Sequence, residues 1–199
     1  KCFKNSEALL FLLVFLSGIC MAQEKQKYST EQPIVGANQI PQYLHLLQHK
    51  KIGIVANQTS VLFKNSEHSS YEHLVDSLQK QKITIAKVFT PEHGFRGSSD
   101  ASEYVEDSRD LKTGLPLVSL YGKHRKPTDS QLKNLELVLF DIQDVGVRFY
   151  TYLSTLHYVM EACAENNIPV LVLDRPNPNG HYVDGPMMRL EHRSFVGMH

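Results

Sequence analysis

Five apolar runs punctuate the chain at fairly even spacing: KIGIVA (51–56), ITIAKVF (83–89), PLVSLYG (116–122), LELVLFDI (135–142) and IPVLVLD (168–174). Most are rich in Val, Ile and Leu and lack strict alternation, the pattern of strands buried on both faces. Amphipathic stretches between them predict helices: IPQYLHLLQHK (40–50), YEHLVDSLQKQ (71–81), a short turn near DSQLKNL (129–135) and TYLSTLHYVMEACAEN (151–166). In the last, Leu153, Leu156, Val159, Met160 and Cys163 recur at helical spacing and predict the buried stripe. Strand and helix thus alternate, which predicts a mainly parallel sheet covered by helices on both faces. The expected fold class is α/β, a Rossmann-like three-layer α/β/α domain. A chain of 199 residues holds one such domain of ordinary size.

The polar residues fall where such a sheet puts ligands. NQTS (57–60) follows the first run, TPEHGFRG (90–97) the second, Tyr121-Gly122 closes the third, DIQDVGVRFYTY (141–152) ends the fourth and DRPNPNG (174–180) the fifth. These are the carboxyl ends of the strands, the binding edge of an open α/β sheet. Each loop also has a purely structural reading. Asn57, Gln58 and Thr59 suit capping of the next segment, Asp141 and Asp144 suit capping of turn amides, and Asp174-Arg175 suits an ion pair in a rigid Pro-rich loop. Convergence of five such loops on one edge is what favours a shared pocket.

Composition narrows the chemistry. Lys plus Arg equals Asp plus Glu, 21 each, so nothing supplies the basic face that nucleic acid needs. No G-x-S-x-G, G-x-x-x-x-G-K-[ST] or G-x-G-x-x-G occurs, which argues against the usual α/β serine hydrolases and nucleotide binders. The ten histidines form neither H-E-x-x-H nor a Cys/His cluster, so neither a metal nor another cofactor is expected. What remains is carboxylates with Arg, Asn, Gln and Tyr, a set that suits a polyol bearing a carboxylate, with acid and base work done by carboxyl groups.

The N-terminus reads as a signal peptide. Lys1 and Lys4 precede ALLFLLVFLSGIC, too short for a membrane span, and Cys20-Met21-Ala22 offers small residues for cleavage before Gln23. Export to the periplasm or medium is the expectation; Ile19 ahead of Cys20 disfavours a lipoprotein anchor. Beyond residue 22 only Cys163 remains, and it reads as a small apolar core residue rather than a reactive thiol.

GIVANQTS, FTPEHGFRG, LVLFDIQDVGVRFYTY, VLDRPNPNG and VDGPM followed by FVGMH occur in this order and together resemble the exo-β-N-acetylmuramidases of the NamZ type. The resemblance runs from about Ile34 to the end of the chain. It implies an exported glycoside hydrolase that removes terminal N-acetylmuramic acid from the non-reducing end of peptidoglycan fragments. It also implies a Rossmann-like catalytic domain over 34–199, then a smaller second domain lying past His199, with the site in the cleft between them. Apolar surface around Pro186 to Val196 is expected where that domain docks.

The glutamate of the family's P-E-H-G-F-R-G motif matches Glu92, the expected general acid; Phe89 and Phe95 flank it and are expected to desolvate its carboxyl. Asp144 is the second catalytic candidate. His93 is expected to orient Glu92, bind a hydroxyl or brace its own loop. Arg148 and Tyr150 are expected to shape the sugar site. Arg96, Arg148 and Arg175 compete for the lactyl carboxylate of the muramyl saccharide. Asn57, Gln58, Thr59, Asp174 and Asn177 complete the substrate-binding set. A sugar-binding module without turnover uses the same loops and remains the alternative.

Overall fold

The computed structural model describes residues 33–97, 108–122 and 124–198. The stretch 1–22, expected to be a signal peptide, therefore lies outside the described residues. KIGIVA forms β1 (Lys51–Ala56) over the residues its apolar run marks out. The other four runs give β4 (Thr84–Thr90), β6 (Pro116–Ser119), β7 (Leu137–Asp141) and β8 (Val170–Val172), each trimmed or shifted by a few residues. Ile54 of β1 pairs with Val88 on one side and Leu139 on the other, both in parallel. β6 joins β4, and β8 joins β7, also in parallel. A two-residue strand, β5 (Ser108–Arg109), adds antiparallel to β6 at the edge.

The resulting order is β5-β6-β4-β1-β7-β8. Counting only the parallel strands in chain order, it reads 3-2-1-4-5, the doubly wound arrangement. The winding reverses between β1 and β7, and a crevice opens there at the carboxyl edge. All five expected loops share that edge, because all five strands run the same way.

Side chains alternate between two cores, as the period of a strand requires. Ile52 and Ile54 of β1, with Leu137 and Leu139 of β7, face a core closed by α1 (Ile40–Leu47) and α2 (Leu74–Lys80). Val55, Val138 and Phe140 face the opposite core, closed by α3 (Asp129–Leu132) and α4 (Tyr152–Glu165). Gly53 points into that second core, where an added Cβ would stand 3.0 Å from the Phe89 ring and 2.9 Å from Leu135. The glycine thus makes room for Phe89, a fully buried aromatic. Burial pushes the Cys163 thiol up to about 11, which fits a packed core residue and not a nucleophile.

Two expectations are corrected. Tyr71–His73, read as the start of a helix, is β3, which pairs antiparallel with β2 (Val61–Phe63); the helix begins only at Leu74. The three residues are drawn into strand by the facing Val61–Phe63, a tertiary influence that local periodicity does not show. In α4 the buried stripe is Tyr152, Thr155, Val159, Ala162 and Cys163, leaving Leu153 and Met160 exposed. The helix is rotated so that Tyr152, not Leu153, faces inward.

After β8 the chain runs to residue 198 largely without regular structure, apart from a turn of 3-10 helix at Leu190–His192 and a bridge between Ser194 and Gly197. Phe195 stacks on Tyr158 of α4, centroids 5.9 Å apart, with the Arg125 guanidinium 4.3 Å from its ring centroid. In the same stretch of chain Val183, Met187, Leu190 and Val196 are exposed. No helix among the described residues is long and apolar enough to cross a membrane.

Candidate functional site

The polar NQTS segment staples the two strands that flank the crevice. Asn57 is buried, and its Oδ1 accepts from both the N–H (2.9 Å) and the hydroxyl (2.6 Å) of Thr59. The Thr59 hydroxyl in turn accepts from the Gln143 N–H at 2.9 Å, and the Ser60 hydroxyl donates to the Asp141 carbonyl. Thr59 therefore ties the loop after β1 to the loop after β7, while Gln58 beside it is exposed. The buried Asn57 Nδ2 has the Tyr152 hydroxyl as its neighbour, whereas Asp144 Oδ1, an acceptor, is buried here without a partner. Such orphans are costly and uncommon in folded proteins.

Pro91 to Gly94 forms a tight turn, closed by the Gly94 N–H donating to the Pro91 carbonyl (3.2 Å). His93 takes φ +70° in it, a left-handed conformation that glycine or asparagine adopts more readily. The turn puts Glu92 and His93 on a recess of about 120 Å³ whose other walls are Phe149, Tyr150, Thr151 and Tyr152. The Thr151 hydroxyl donates to Glu92 Oε2 at 3.3 Å. Tyr150 and Tyr152 meet edge to face, centroids 4.9 Å apart. Burial, with Tyr150 nearby, pushes the Tyr152 hydroxyl up to about 12, so it stays protonated as a donor, with Asn57 and Glu92 among its neighbours. Loops from β1, β4 and β7 thus meet around one carboxyl group.

The expected desolvation by Phe89 and Phe95 is corrected. Phe89 is packed in the core beneath α4, and Phe95 in the opposite core. The apolar walls of the Glu92 recess come instead from Phe149 and Tyr150. Asp144 is half-buried on the same sheet edge but is not among the recess walls.

The three arginines separate clearly. Arg175 is turned inward: its side chain is 3% exposed, Nε and Nη2 reach the two carboxylate oxygens of fully buried Asp141 (2.7 and 2.9 Å), and Nη2 also donates to the Val61 carbonyl. The expectation that it binds substrate is corrected, since its guanidinium is enclosed in that pair. Arg96 is likewise committed, to Asp110 (2.7 and 2.8 Å) and Asp76 (2.8 and 3.4 Å), and lies against its neighbour Phe95. It anchors the loop rather than reaching the Glu92 recess, so its expected role is corrected too. Arg148 alone of the three is exposed, with Nη2 donating to the Pro186 carbonyl at 2.8 Å.

In the DRPNPNG loop, Asp174 is exposed and accepts from the Arg175 N–H (2.9 Å). Asn177 accepts from the Asn179 N–H and packs on Gly146, where a Cβ would lie 2.3 Å from Asn177 Nδ2. Asn179 reaches the Val145 carbonyl and Gln143 the Pro176 carbonyl, at 2.8 and 2.9 Å, so the loops after β7 and β8 brace each other.

Sequence reading passed over Phe149, Thr151 and Tyr152, although the FYTY run at the start of a helix was the available signal. It also passed over His73. This imidazole accepts from the Val75 N–H at Nδ1 (3.3 Å), leaving Nε2–H to donate to the Asn57 carbonyl (3.0 Å). Its ring meets Phe95 edge to face at 4.7 Å, so one half-buried histidine links the loop after β1 to the loop after β4. Burial holds its pKa below the ordinary value, with Arg96 adding to the shift.

Comparison with known proteins follows this geometry. The family described as exo-β-N-acetylmuramidase NamZ, N-terminal, matches residues 52–199. The peptidoglycan β-N-acetylmuramidase NamZ of Bacillus subtilis (strain 168) is 46% identical over 162 residues, covering 80% of this chain and 38% of that protein. Two crystal structures of DUF1343-family proteins from Bacteroides fragilis NCTC 9343 superpose with TM-scores of 0.70 and 0.71, at 40% and 36% identity. They cover 84% and 83% of this chain and 41% and 40% of their own. The chain thus spans about two fifths of the length of the relatives it matches.

Proposed function

The chain belongs to the NamZ N-terminal family, and we propose that it is the catalytic domain of an exported glycoside hydrolase that releases terminal N-acetylmuramic acid from peptidoglycan fragments. The observation that carries this reading is the Glu92 carboxyl at the carboxyl edge of the sheet, in an aromatic recess, with the Thr151 hydroxyl turned toward it. Glu92 is the general acid: it gives its proton to the glycosidic oxygen as the bond from that oxygen to the anomeric carbon breaks, and water supplies the hydroxyl that the anomeric carbon gains.

The remaining groups divide by reach. Arg148, the exposed arginine, takes the lactyl carboxylate. Asp144 Oδ1, an acceptor without a partner, suits a sugar hydroxyl or the attacking water, which makes Asp144 the second carboxylate of the reaction. A 120 Å³ recess is well below the ~300–1,000 Å³ of sites that enclose a ligand, so in this chain it is one wall of the site. Residues 1–22 supply the export signal in this reading.

The test is Glu92→Gln in the full-length protein, assayed for release of N-acetylmuramic acid from a muramyl disaccharide. The amide keeps shape but removes the transferable proton, so turnover should fall ~10²–10⁴-fold while disaccharide binding survives. Turnover within a few-fold of the parent would overturn the assignment.

A further inference from the structure

Val147 to Tyr150 is a tight turn, closed by the Tyr150 N–H donating to the Val147 carbonyl at 2.9 Å. Its two central residues meet different fates. Arg148 is held by the Pro186 carbonyl, whereas Phe149 is 73% exposed. Exposing a large aromatic ring gives up the stabilisation of burying it, yet this one borders the recess that holds Glu92. The recess grades outward: Tyr152 is 4% exposed, Tyr150 38% and Phe149 73%. Tyr152 at the buried end neighbours Glu92 and Asn57, so on the glycosidase reading the terminal sugar lies toward that end and the rest of the saccharide toward Phe149.

We propose that Phe149 is the platform for the leaving-group sugar, a specificity-determining residue that stacks on the apolar face of the pyranose joined to the terminal N-acetylmuramic acid. The inference rests on the glycosidase reading above. A pyranose presents C–H groups on one face, and an aromatic ring with a free face is the side chain suited to cover them. The ring makes no hydrogen bond, so it selects a sugar-like leaving group by shape and tolerates variation in the hydroxyl pattern. A single platform on the rim suits an enzyme that needs to recognise one further ring.

The test separates binding from turnover. In full-length Glu92→Gln protein, which holds substrate without cleaving it, calorimetry compares Phe149, Phe149→Ala and Phe149→Tyr. The ligands are N-acetylmuramic acid alone and its β-linked disaccharide with a second N-acetylhexosamine. Phe149→Ala should weaken the disaccharide ~3–10-fold and leave the monosaccharide within about twofold, while Phe149→Tyr restores the disaccharide. Equal affinity of all three proteins for the disaccharide, or equal losses for both ligands, would overturn the platform. Cleavage of the disaccharide by the parent protein is scored separately. If the parent cleaves and Phe149 is indifferent, the platform alone falls; if affinity depends on Phe149 but the parent does not cleave, the catalytic reading falls and the platform stands.

Discussion

Thr151 stands at the N-cap of α4, yet its hydroxyl donates to Glu92 Oε2 at 3.3 Å and makes no bond to the helix's own amides. An N-cap threonine ordinarily satisfies one of the free N–H groups of the first turn, a contribution of ~0.5–2 kcal/mol. Here the helix forgoes that, and the hydroxyl holds a carboxyl group 59 residues away in sequence. The sheet brings them together, since β4 and β7 end on the same edge with β1 between them.

Thr151→Val should therefore separate activity from stability. It keeps the branched shape and removes the hydroxyl. Because no cap is lost, the melting temperature should shift by less than the ~2–4 °C that 1 kcal/mol produces in a protein of this size. Turnover should fall ~10-fold, the scale of one hydrogen bond to a charged or reacting group. Thr151→Ser should retain most of the activity. A stability loss without an activity loss would mark Thr151 as an ordinary cap.

His93 offers the reverse signature. At φ +70° an imidazole-bearing residue is held in a conformation that glycine reaches without strain. His93→Gly should leave the melting temperature unchanged or raise it by a few degrees, relief of the strained turn being offset in part by a more flexible unfolded chain. Muramidase turnover should drop, because the ring that borders the Glu92 recess is gone. A fall in stability with full activity would mean that the ring serves the fold alone.

Acid should weaken the fold in two steps. His73 titrates lower in the fold than in the unfolded chain, chiefly through burial, so its contribution is whole above its unfolded value of ~6.5 and declines as pH falls below it. Asp110 is held well below the carboxylate range, first by the Arg96 hydrogen bonds; Asp76 is lowered as well, its bonds to Arg96 and Lys112 outweighing burial. Their contribution is whole above ~pH 4 and is lost as pH falls toward their folded values. Melting temperature followed from pH 8 to 2 should show both declines. His73→Gln should flatten the upper one and Arg96→Met the lower; a profile unchanged by either variant would refute the assignment.

The framework was open to sequence reading for a simple reason. Strands covered on both faces must be continuous apolar runs, so β1 reads off KIGIVA directly, and the loops after them carry the polar residues. What stayed closed depends on partners far apart in the chain. DRP reads as an Asp174–Arg175 neighbour pair, yet Arg175 joins Asp141, 34 residues earlier, because β7 and β8 are adjacent. Phe89 and Phe95 flank Glu92 in sequence but enter opposite cores, since the strand ends and the chain turns between them. β2 and β3, three residues each, are too short to show a period.

That Asp141–Arg175 pair makes the sharpest contrast between a structural and a ligand-binding arginine. Both side chains are almost wholly enclosed, and Arg175 also donates to the Val61 carbonyl at 2.9 Å, so one guanidinium joins the end of β7, the loop after β8 and the first residue of β2. Removing one member leaves the other charge buried without compensation, a cost of ~3–5 kcal/mol. Arg175→Met should therefore lower the melting temperature by about 10 °C, with loss of turnover following loss of folded protein. Asp141→Leu combined with Arg175→Met leaves no charge stranded, only the Val61 carbonyl, and should recover at least half of that loss. Were Arg175 instead a substrate ligand, Arg175→Met would melt like the parent and show a raised KM. Differential scanning of the three proteins beside the assay of Arg175→Met decides between the two.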